Sequence, residues 1–273
     1  MLQTLIQYFK PYLQEGICIA FSGGVDSSLL LKAACLAREQ ALTGGINSLP
    51  ILALIAETKL HSHEDTVQAE ELARSMGADC QVLTIDEFQD PQIMNNPVNR
   101  CYLCKRLLFS SIKETARKQG RLHIFDGTNQ NDTKEYRPGL AALEELQIHS
   151  PLKELGITKE QVRELSRQIQ LKTSDKPSTP CLATRLPYGA QLDFQLLNRI
   201  HEGEVFLRSL GFYNVRLRFH EPLLRLEVDK KEFSRILEQQ DRIICKLKQL
   251  GFLYITLDLE GFRSGSMDVE ISK

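Results

Sequence analysis

The run Ser22-Gly23-Gly24-Val25-Asp26-Ser27-Ser28 has the residue types and the surroundings of a phosphate-binding turn. An apolar run at residues 17–21 precedes it and predicts a buried strand, and residues 29–34 have the composition of a helix. A strand, a tight Gly-Gly turn and a helix N-terminus in that order expose backbone N–H groups and the positive end of a helix dipole at one point. The sequence therefore predicts an anion site, and the alternative is a turn capped by serine and aspartate.

Two common phosphate-binding loops do not match this run. It lacks the lysine of the G-x-x-x-x-G-K-[ST] loop and the spacing of the G-x-G-x-x-G fingerprint. The run resembles instead the S-G-G-x-D-S signature of the PP-loop ATP pyrophosphatases, which cleave ATP between its α and β phosphates and adenylate a substrate. The resemblance implies that Asp26 binds Mg²⁺. It also implies a pyrophosphate cradle made of Ser22, Gly23, Gly24, Ser27 and Ser28.

Three of the seven cysteines have positions that favour chemistry. Cys101 and Cys104 open a predicted helix and stand three residues apart, so their sulfur atoms share one face. The helix N-terminus and the nearby cations favour their thiolate forms. Cys181 stands in a proline-rich stretch, where a buried structural role is disfavoured. Apolar surroundings predict core helix or strand positions for the other four: Cys18, Cys35, Cys80 and Cys245.

The composition is that of a soluble globular protein. The chain has 273 residues, of which 42% are hydrophobic and 25% charged, enough for two domains with a sizeable core. Its first ten residues alternate at helical spacing without a signal-peptide pattern, and no stretch reaches the length of a membrane span. We therefore expect a cytoplasmic protein with reduced cysteines and no membrane partner. A net charge of −1 argues against nucleic acid as the main partner.

Apolar runs at residues 50–57, 80–85 and 122–126 alternate with segments of helical periodicity and predict further strands. This alternation predicts an α/β fold, with a parallel sheet, helices on both faces and ligands at the carboxyl ends of the strands. The phosphate turn lies at such an end. The run 126–132, which contains Thr128, follows a strand and should lie on the same rim, either as a simple turn or as part of a nucleotide site.

The composition also divides the chain into parts. A first domain, residues 1–171, ends with a helix whose Thr158 and Gln161 predict a capping box. Residues 172–190 contain three prolines and predict a connection. The remainder, 191–273, predicts a small C-terminal α+β domain of order α-β-β-α-β. Within it, residues 247–259 repeat the pattern of residues 207–219: a helix end, a glycine and an alternating strand.

A predicted hairpin in this last domain has one face rich in arginine. Arg216 and Arg218 alternate with apolar residues and share their face with Arg225 and Glu227, across a turn at Glu221-Pro222. Two neighbouring arginines suit a phosphate or a carboxylate. The alternative is a solvated face with cross-strand ion pairs.

Along nearly its whole length the chain resembles one family, the ATP-dependent sulfur transferases called LarE. Besides residues 22–28, the matching motifs are Asp126-Gly127-Thr128-Asn129, Arg137-Pro138-Gly139, Pro180-Cys181-Leu182-Ala183-Thr184-Arg185 and Gly261-Phe262-Arg263-Ser264-Gly265-Ser266-Met267. The resemblance implies a PP-loop fold of the adenine nucleotide alpha hydrolase-like type. It further implies a role in making the nickel-pincer nucleotide cofactor of lactate racemase.

By this resemblance the enzyme adenylates a carboxylate of pyridinium-3,5-biscarboxylic acid mononucleotide with ATP, releases pyrophosphate and replaces AMP with sulfur. The resemblance implies that Arg216 and Arg218 contact the substrate phosphate near a subunit interface, with Arg263 as a helper. The resemblance also implies a homo-oligomer, with a hexamer as one candidate. Thr128 is assigned to the ATP site.

The family uses two sulfur sources. In one, the cysteine matching Cys181 gives up its own sulfur and becomes dehydroalanine. In the other, three cysteines hold a 4Fe-4S cluster whose open iron binds an extra sulfide, and Cys101, Cys104 and Cys181 resemble that set. A closed zinc site would need a fourth ligand, for which His61 or His63 is a candidate, and a redox CxxC pair would not require Cys181. We expect the cluster, because sulfur delivery needs an open iron.

Two other functions fit parts of the sequence. A PP-loop tRNA thiolase would also combine the turn with clustered cysteines, but it should show a basic face, which the balanced charge does not indicate. A non-catalytic metal-binding module would leave the Gly-Gly turn merely structural, which Asp26 and the paired serines disfavour. RNA-dependent pyrophosphate release would support the first alternative, and failure to bind ATP the second.

Overall fold

Four parallel strands form the sheet that carries the phosphate turn. The structure is a computed structural model that describes residues 1–134, 138–176, 180–263 and 266–267. The four strands are β1 Ile17–Ala20, β2 Leu52–Thr58, β3 Asp79–Ile85 and β4 His123–Phe125. Their order in the sheet is β3-β2-β1-β4. β1 pairs with both β2 and β4 in parallel register. Side chains alternate between the two faces because the strands are pleated.

Helices cover both faces of this sheet, as the sequence predicts. The helices that surround the sheet are α1 Leu2–Phe9, α2 Val25–Thr43, α3 His63–Ser75, α5 Arg100–Lys118, α6 Gly139–Glu145, α7 Pro151–Glu154 and α8 Lys159–Gln168. Ile17 and Ile19 of β1 belong to a core packed with helices α1, α2 and α8, whereas Cys18 belongs to a second core packed with α5 and α6. The predicted α/β class with a parallel sheet is confirmed.

The chain divides into two compact units, one made of residues 1–87 and 99–179 and the other of residues 88–98 and 180–273. The second unit contains α4 Pro91–Met94, α9 Phe194–Ser209, α10 Phe233–Glu238 and α11 Gln240–Gln249. Its sheet has the order β5-β6-β7, with β5 Val215–His220, β6 Leu223–Val228 and β7 Tyr254–Leu257. β5 and β6 form the predicted antiparallel hairpin, and β7 runs parallel to β6.

Two local expectations for the second unit are wrong. The helix predicted after Asp229 is divided into α10 and α11 at Gln239, and neither helix begins with a side-chain cap. Cys245 is exposed and not in the core, because Ile243 and Leu247 take the buried face of α11.

The capping box of Thr158 and Gln161 is present at the start of α8. That helix ends at Gln168, earlier than expected, and Gln170 beyond it has a positive φ.

Among the described residues, no helix is both long enough and apolar enough to cross a membrane.

Candidate active site

The phosphate turn joins the end of β1 to the start of α2. Gly24 is the N-cap of α2, and no side chain caps the helix, so the N–H groups of its first turn stay available for an anion. Gly23 has φ +66°, and a Cβ there would lie 2.9 Å from Cβ of Ala69 in α3. Both the backbone angle and the contact require glycine. The strand, glycine turn and helix N-terminus that the sequence predicts are present, and the binding of an anion there stays a prediction.

Three serines line or underlie this turn. The hydroxyl oxygens of Ser22 and Ser27 lie 3.1 Å apart, and the Ser27 hydroxyl donates to the carbonyl oxygen of Gly24 at 3.2 Å. Ser22 is exposed, whereas Ser27 and Ser28 are buried. The hydroxyl oxygen of Ser28 has no hydrogen-bond partner among the described residues. A buried hydroxyl without a partner costs free energy, and a bound ligand or water at the turn would remove that cost.

Asp26 lies on the first turn of α2 and is held from two sides. The amide nitrogen of Asn129 donates to Asp26 Oδ1 at 3.1 Å, and Lys159 forms an ion pair with Oδ2. Lys159 is the first residue of α8, and its backbone N–H donates to Oδ1 of Asn131 at 2.9 Å. The N-termini of α2 and α8 thus meet at one carboxylate, a group whose oxygen atoms are of the type that Mg²⁺ prefers.

The turn after β4 contacts the phosphate turn directly. A Cβ on Gly127 would lie 3.0 Å from the backbone nitrogen of Ser27 and 3.2 Å from Cβ of Asp26, so glycine allows this close approach. The hydroxyl groups of Thr128 and Ser150 both donate to the buried carboxylate of Asp126. Thr128 therefore lies on the same rim as the phosphate turn, as the sequence predicts.

Sequence reasoning missed two lysines at this site, Lys159 and Lys176. The ammonium group of Lys176 lies 3.4 Å from the carbonyl oxygen of Gly23 and 3.6 Å from Asp65 Oδ1. The sequence carried a signal for Lys159, because it follows the capping Thr158 and a helix N-terminus tolerates a cation poorly. Lys176 lies in the proline-rich stretch and gave no such signal.

The CxxC pair lies at the start of α5 in the first unit, as predicted. Cys101 is exposed and Cys104 is partly buried. The guanidinium group of the buried Arg100 lies 3.8 Å from Cys101 Sγ. Cys181, also partly buried, belongs to the second unit. Within the described ranges, no three His, Cys, Asp or Glu side chains form a group that could hold a metal ion.

The other cysteines are less available for chemistry. Burial raises the pKa of Cys18 to about 12 and that of Cys35 to about 11, so both are thiols at neutral pH. His61 and His63 lie on the rim beyond β2. Nδ1 of His61 lies 2.8 Å from the Thr58 hydroxyl, and Nδ1 of His63 lies 2.5 Å from Glu57 Oε1.

The arginine face of the hairpin is confirmed by its register, which pairs Arg216 with Glu227 and Arg218 with Arg225. Nε of the buried Arg218 donates to Glu227 Oε1 at 2.9 Å. Burial, followed by the neighbouring charge of Arg185, lowers the pKa of Arg216 to about 10. The guanidinium of Arg216 is therefore incompletely compensated and suits an anion.

Arg263 forms ion pairs with Glu260 at 2.6 Å and Asp258 at 3.8 Å. Its neighbours Ser264 and Gly265, like Arg137 of the earlier motif, lie outside the described residues.

Comparisons with known proteins assign the class. The chain is similar to an NMN synthetase from Francisella tularensis, with a TM-score of 0.50, 19% identity and coverage of 90% of this chain and 94% of that one. This likeness shows the fold alone: a parallel α/β sheet with helices on both faces, in which the glycine turn follows the first strand. No protein-family model matches the chain.

Two relatives are similar over nearly the whole length. One, from Lactiplantibacillus plantarum, is named pyridinium-3,5-bisthiocarboxylic acid mononucleotide synthase; it is 36% identical over 99% of this chain and 94% of its own. Another, "Uncharacterized protein slr1717" of Synechocystis, is 34% identical over the full length of both chains. The chain belongs to the LarE family of ATP-dependent sulfur transferases.

Proposed function

We propose that this enzyme converts a carboxylate of pyridinium-3,5-biscarboxylic acid mononucleotide into a thiocarboxylate, as a step in making the nickel-pincer nucleotide cofactor of lactate racemase. The observation that carries the proposal is the 36% identity, over 99% of this chain, to a synthase named for the bisthiocarboxylic product. The phosphate turn and the arginine hairpin supply sites suited to the two phosphate-bearing reactants, ATP and the mononucleotide.

The first half-reaction would take place at the phosphate turn. A substrate carboxylate oxygen attacks the α phosphorus of ATP, the bond to the β phosphate breaks, and an acyl adenylate and pyrophosphate result. We assign the leaving pyrophosphate to the first-turn N–H groups of α2 and to Ser22 and Ser27. Mg²⁺, with Asp26 as its ligand, would neutralise the phosphate charge, and Lys159 and Lys176 would add fixed positive charge.

The second half-reaction replaces AMP with sulfur. If Cys181 is the donor, its thiolate attacks the acyl carbon and AMP leaves with the bonding electrons. Loss of the Cα proton and cleavage of the Cβ–S bond then give the thiocarboxylate and dehydroalanine. This route consumes one cysteine for each sulfur atom.

We favour delivery through a 4Fe-4S cluster held by Cys101, Cys104 and Cys181. Three thiols are one fewer than a closed four-cysteine set, so the donor set fits a cluster with one open iron. When bound, the cluster would supply a sulfide. Arg100, beside Cys101, would offset part of the negative charge of the thiolates. Among the described residues, no three His, Cys, Asp or Glu side chains lie together as a metal-binding group. The proposal of a cluster is therefore supported by the number and type of the thiol donors.

Arg216 and Arg218, with Arg263 as a helper, would bind the substrate phosphate near a subunit interface of a homo-oligomer. Light scattering of the purified protein tests the oligomer.

The experiment that tests the function is pyrophosphate release with ATP, Mg²⁺ and the mononucleotide. Asp26→Ala should abolish release while the protein stays folded, because it removes the metal ligand and leaves the core untouched. Asp175→Ala is a matched control, since Asp175 is an exposed carboxylate paired with Arg167 on the surface of the same unit. Undiminished release by Asp26→Ala would refute the assignment, and release that requires RNA would favour a tRNA thiolase.

A further inference from the structure

Arg185 lies at the centre of a buried set of contacts in the second unit, with 1% of its surface exposed. Its Nε and Nη2 donate to the two carboxylate oxygens of Glu204 at 2.8 and 3.0 Å. Its Nη1 donates to the backbone carbonyl oxygens of Pro180 and Cys181 at 3.3 and 3.4 Å, and to the Thr184 hydroxyl at 2.8 Å. One guanidinium group therefore joins Glu204 to the backbone of Cys181.

The carbonyl oxygen of Cys181 accepts further hydrogen bonds from the residue that precedes Arg185. The backbone nitrogen of Thr184 donates to it at 3.1 Å and the Thr184 hydroxyl at 2.8 Å. A carbonyl oxygen has two lone pairs, so three donors leave it fully occupied. The turn that carries the thiol is thus fixed through its own backbone.

The same contacts reach the arginine strand. Glu204 Oε1 accepts the backbone N–H of Leu217, the residue between Arg216 and Arg218, at 3.1 Å. Arg218 Nη1 donates to the carbonyl oxygen of Thr184 at 2.7 Å. Two paths of hydrogen bonds therefore connect β5 to the cysteine turn.

We propose that Arg185 is a positioning residue for sulfur transfer, which holds the backbone of Cys181 at a fixed separation from Arg216 and Arg218. The inference rests on the proposed function, in which those arginines bind the substrate phosphate. A substrate anchored by its phosphate presents its activated carboxyl group at a set distance from the anchor. A misplacement of about 1 Å in such a geometry costs roughly 100-fold in rate.

Stability alone gives a weaker account of this arrangement. A buried ion pair is often no more stabilising than an apolar pair of similar volume, because both charges must leave water. Arg185 also lowers the pKa of the neighbouring Arg216, together with burial, so it adds positive charge where two other arginines already lie. The contacts of Arg185 with the cysteine turn supply a reason for keeping the charge there.

The test uses two variants of the full chain, because Arg185→Met alone would leave the buried Glu204 without the arginine that contacts both of its carboxylate oxygens. Thr184→Val removes one donor to Cys181 and one acceptor of Arg185 and keeps the side-chain shape. Arg185→Met with Glu204→Met replaces the buried pair by apolar side chains. Arg208→Met is the matched control, since Arg208 contacts the same carboxylate at 3.4 Å but has no described contact with the cysteine turn.

Two readouts separate positioning from folding. The first is the kcat of sulfur transfer relative to the rate of pyrophosphate release. The second is the alkylation rate of Cys181, measured by peptide mass spectrometry before any cluster reconstitution, with Cys245 as the internal reference. For Thr184→Val we expect transfer to fall about tenfold with release within about twofold, and Cys181 alkylation to change at least threefold. The control should match the wild type in both.

An unchanged alkylation rate of Cys181, with transfer and release falling together, would overturn the inference and leave Arg185 as a structural residue. If the variant with both Arg185→Met and Glu204→Met does not fold, the transfer, release and alkylation rates of Thr184→Val test the inference. If the wild type releases no pyrophosphate, the proposed function fails, and the alkylation rates still decide whether Arg185 positions Cys181.

Discussion

Lys159 forms an ion pair with Asp26, the one carboxylate on the first turn of α2. In the proposed reaction Asp26 would be the Mg²⁺ ligand, so the ammonium group and the metal would compete for the same carboxylate. The ion pair and the hydrogen bond from Asn129 orient the carboxylate before nucleotide arrives. When Mg²⁺ and ATP bind, the freed lysine can turn to a phosphate oxygen, where a cation is favourable.

Lys159→Met should therefore have opposite effects on metal and on catalysis. Without the competing cation, nucleotide-free protein should bind Mn²⁺, a spectroscopic substitute for Mg²⁺, about tenfold more tightly, which EPR titration measures. Pyrophosphate release should fall about tenfold or more, because a charge-assisted contact to the phosphates is lost. Lys118→Met is the control, since Lys118 pairs with Glu114 on the exposed face of α5. If the Mn²⁺ affinity and the rate of pyrophosphate release both stay unchanged, the ion pair between Lys159 and Asp26 has only a structural role.

Gly127→Ala should separate the two turns that meet at Asp26. The added methyl group would lie 3.0 Å from the Ser27 nitrogen, which is backbone and cannot swing away. We expect the KM for ATP to rise about tenfold and the free energy of unfolding to fall by about 1–3 kcal/mol. Gly44→Ala is the control, because its φ is −81° and its Cβ contacts begin at an ordinary 3.4 Å. Equal effects of the two substitutions would contradict this contact.

The sequence predicted most of what local patterns determine. The apolar run before Gly23, the Gly-Gly turn and the helix after it specify the strand–turn–helix unit, and period-two alternation places Arg216 and Arg218 on one face of the hairpin. Contacts between distant segments gave no such pattern. Lys159 reaches Asp26 across 133 positions, and residues 88–98 belong to the second unit although residues of the first unit flank them. Such contacts follow from tertiary packing, which a single sequence does not show.

Arg216→Ala should raise the KM for the mononucleotide about tenfold or more, because a charge-assisted bond to phosphate contributes roughly 1.5–3 kcal/mol. Since the pKa of Arg216 is about 10, its guanidinium is charged at pH 7–9 and the KM should be flat there, then rise as the pH passes 10. Arg242→Ala on the exposed face of α11 is the control. An unchanged KM would leave the arginine face with only its structural ion pairs.

Glu204 should make the stability of the second unit sensitive to acid. Burial alone would raise its pKa, but the charge of Arg185 and its hydrogen bonds outweigh burial and lower the pKa below the ordinary value. The stabilisation is therefore complete above the unfolded-state pKa of about 4.3 and is lost as the pH falls through the lower folded-state value.

Glu204→Gln should lower the free energy of unfolding at pH 7 by about 3 kcal/mol, because Arg185 is left buried without a counter-ion. The difference from the wild type should shrink as the pH falls below about 4.3, as urea titrations at several pH values will show. Glu238→Gln changes an exposed carboxylate of α10 and is the control. It should change neither the free energy of unfolding at pH 7 nor its dependence on pH. A difference that does not depend on pH would contradict the assigned ionisation.

The last prediction separates the two sulfur sources. If Cys101, Cys104 and Cys181 hold a cluster, each single Cys→Ala variant should lose iron together with sulfur transfer after anaerobic reconstitution. Each should still release pyrophosphate, because adenylation uses the separate turn at residues 22–28. Cys245→Ala is the matched control, because Cys245 is likewise accessible but lies on α11.

If Cys181 is instead consumed, Cys101→Ala should transfer sulfur normally, and the protein should be lighter by the elements of H₂S after one turnover. Intact-mass spectrometry after a single turnover therefore decides between the two sources when it is combined with the activity of Cys101→Ala. A cluster leaves the mass of the polypeptide unchanged, because the transferred sulfur is not part of the chain. Dehydroalanine at position 181 together with an active Cys101→Ala variant would refute the cluster and leave the CxxC pair beside Arg100 with a different purpose.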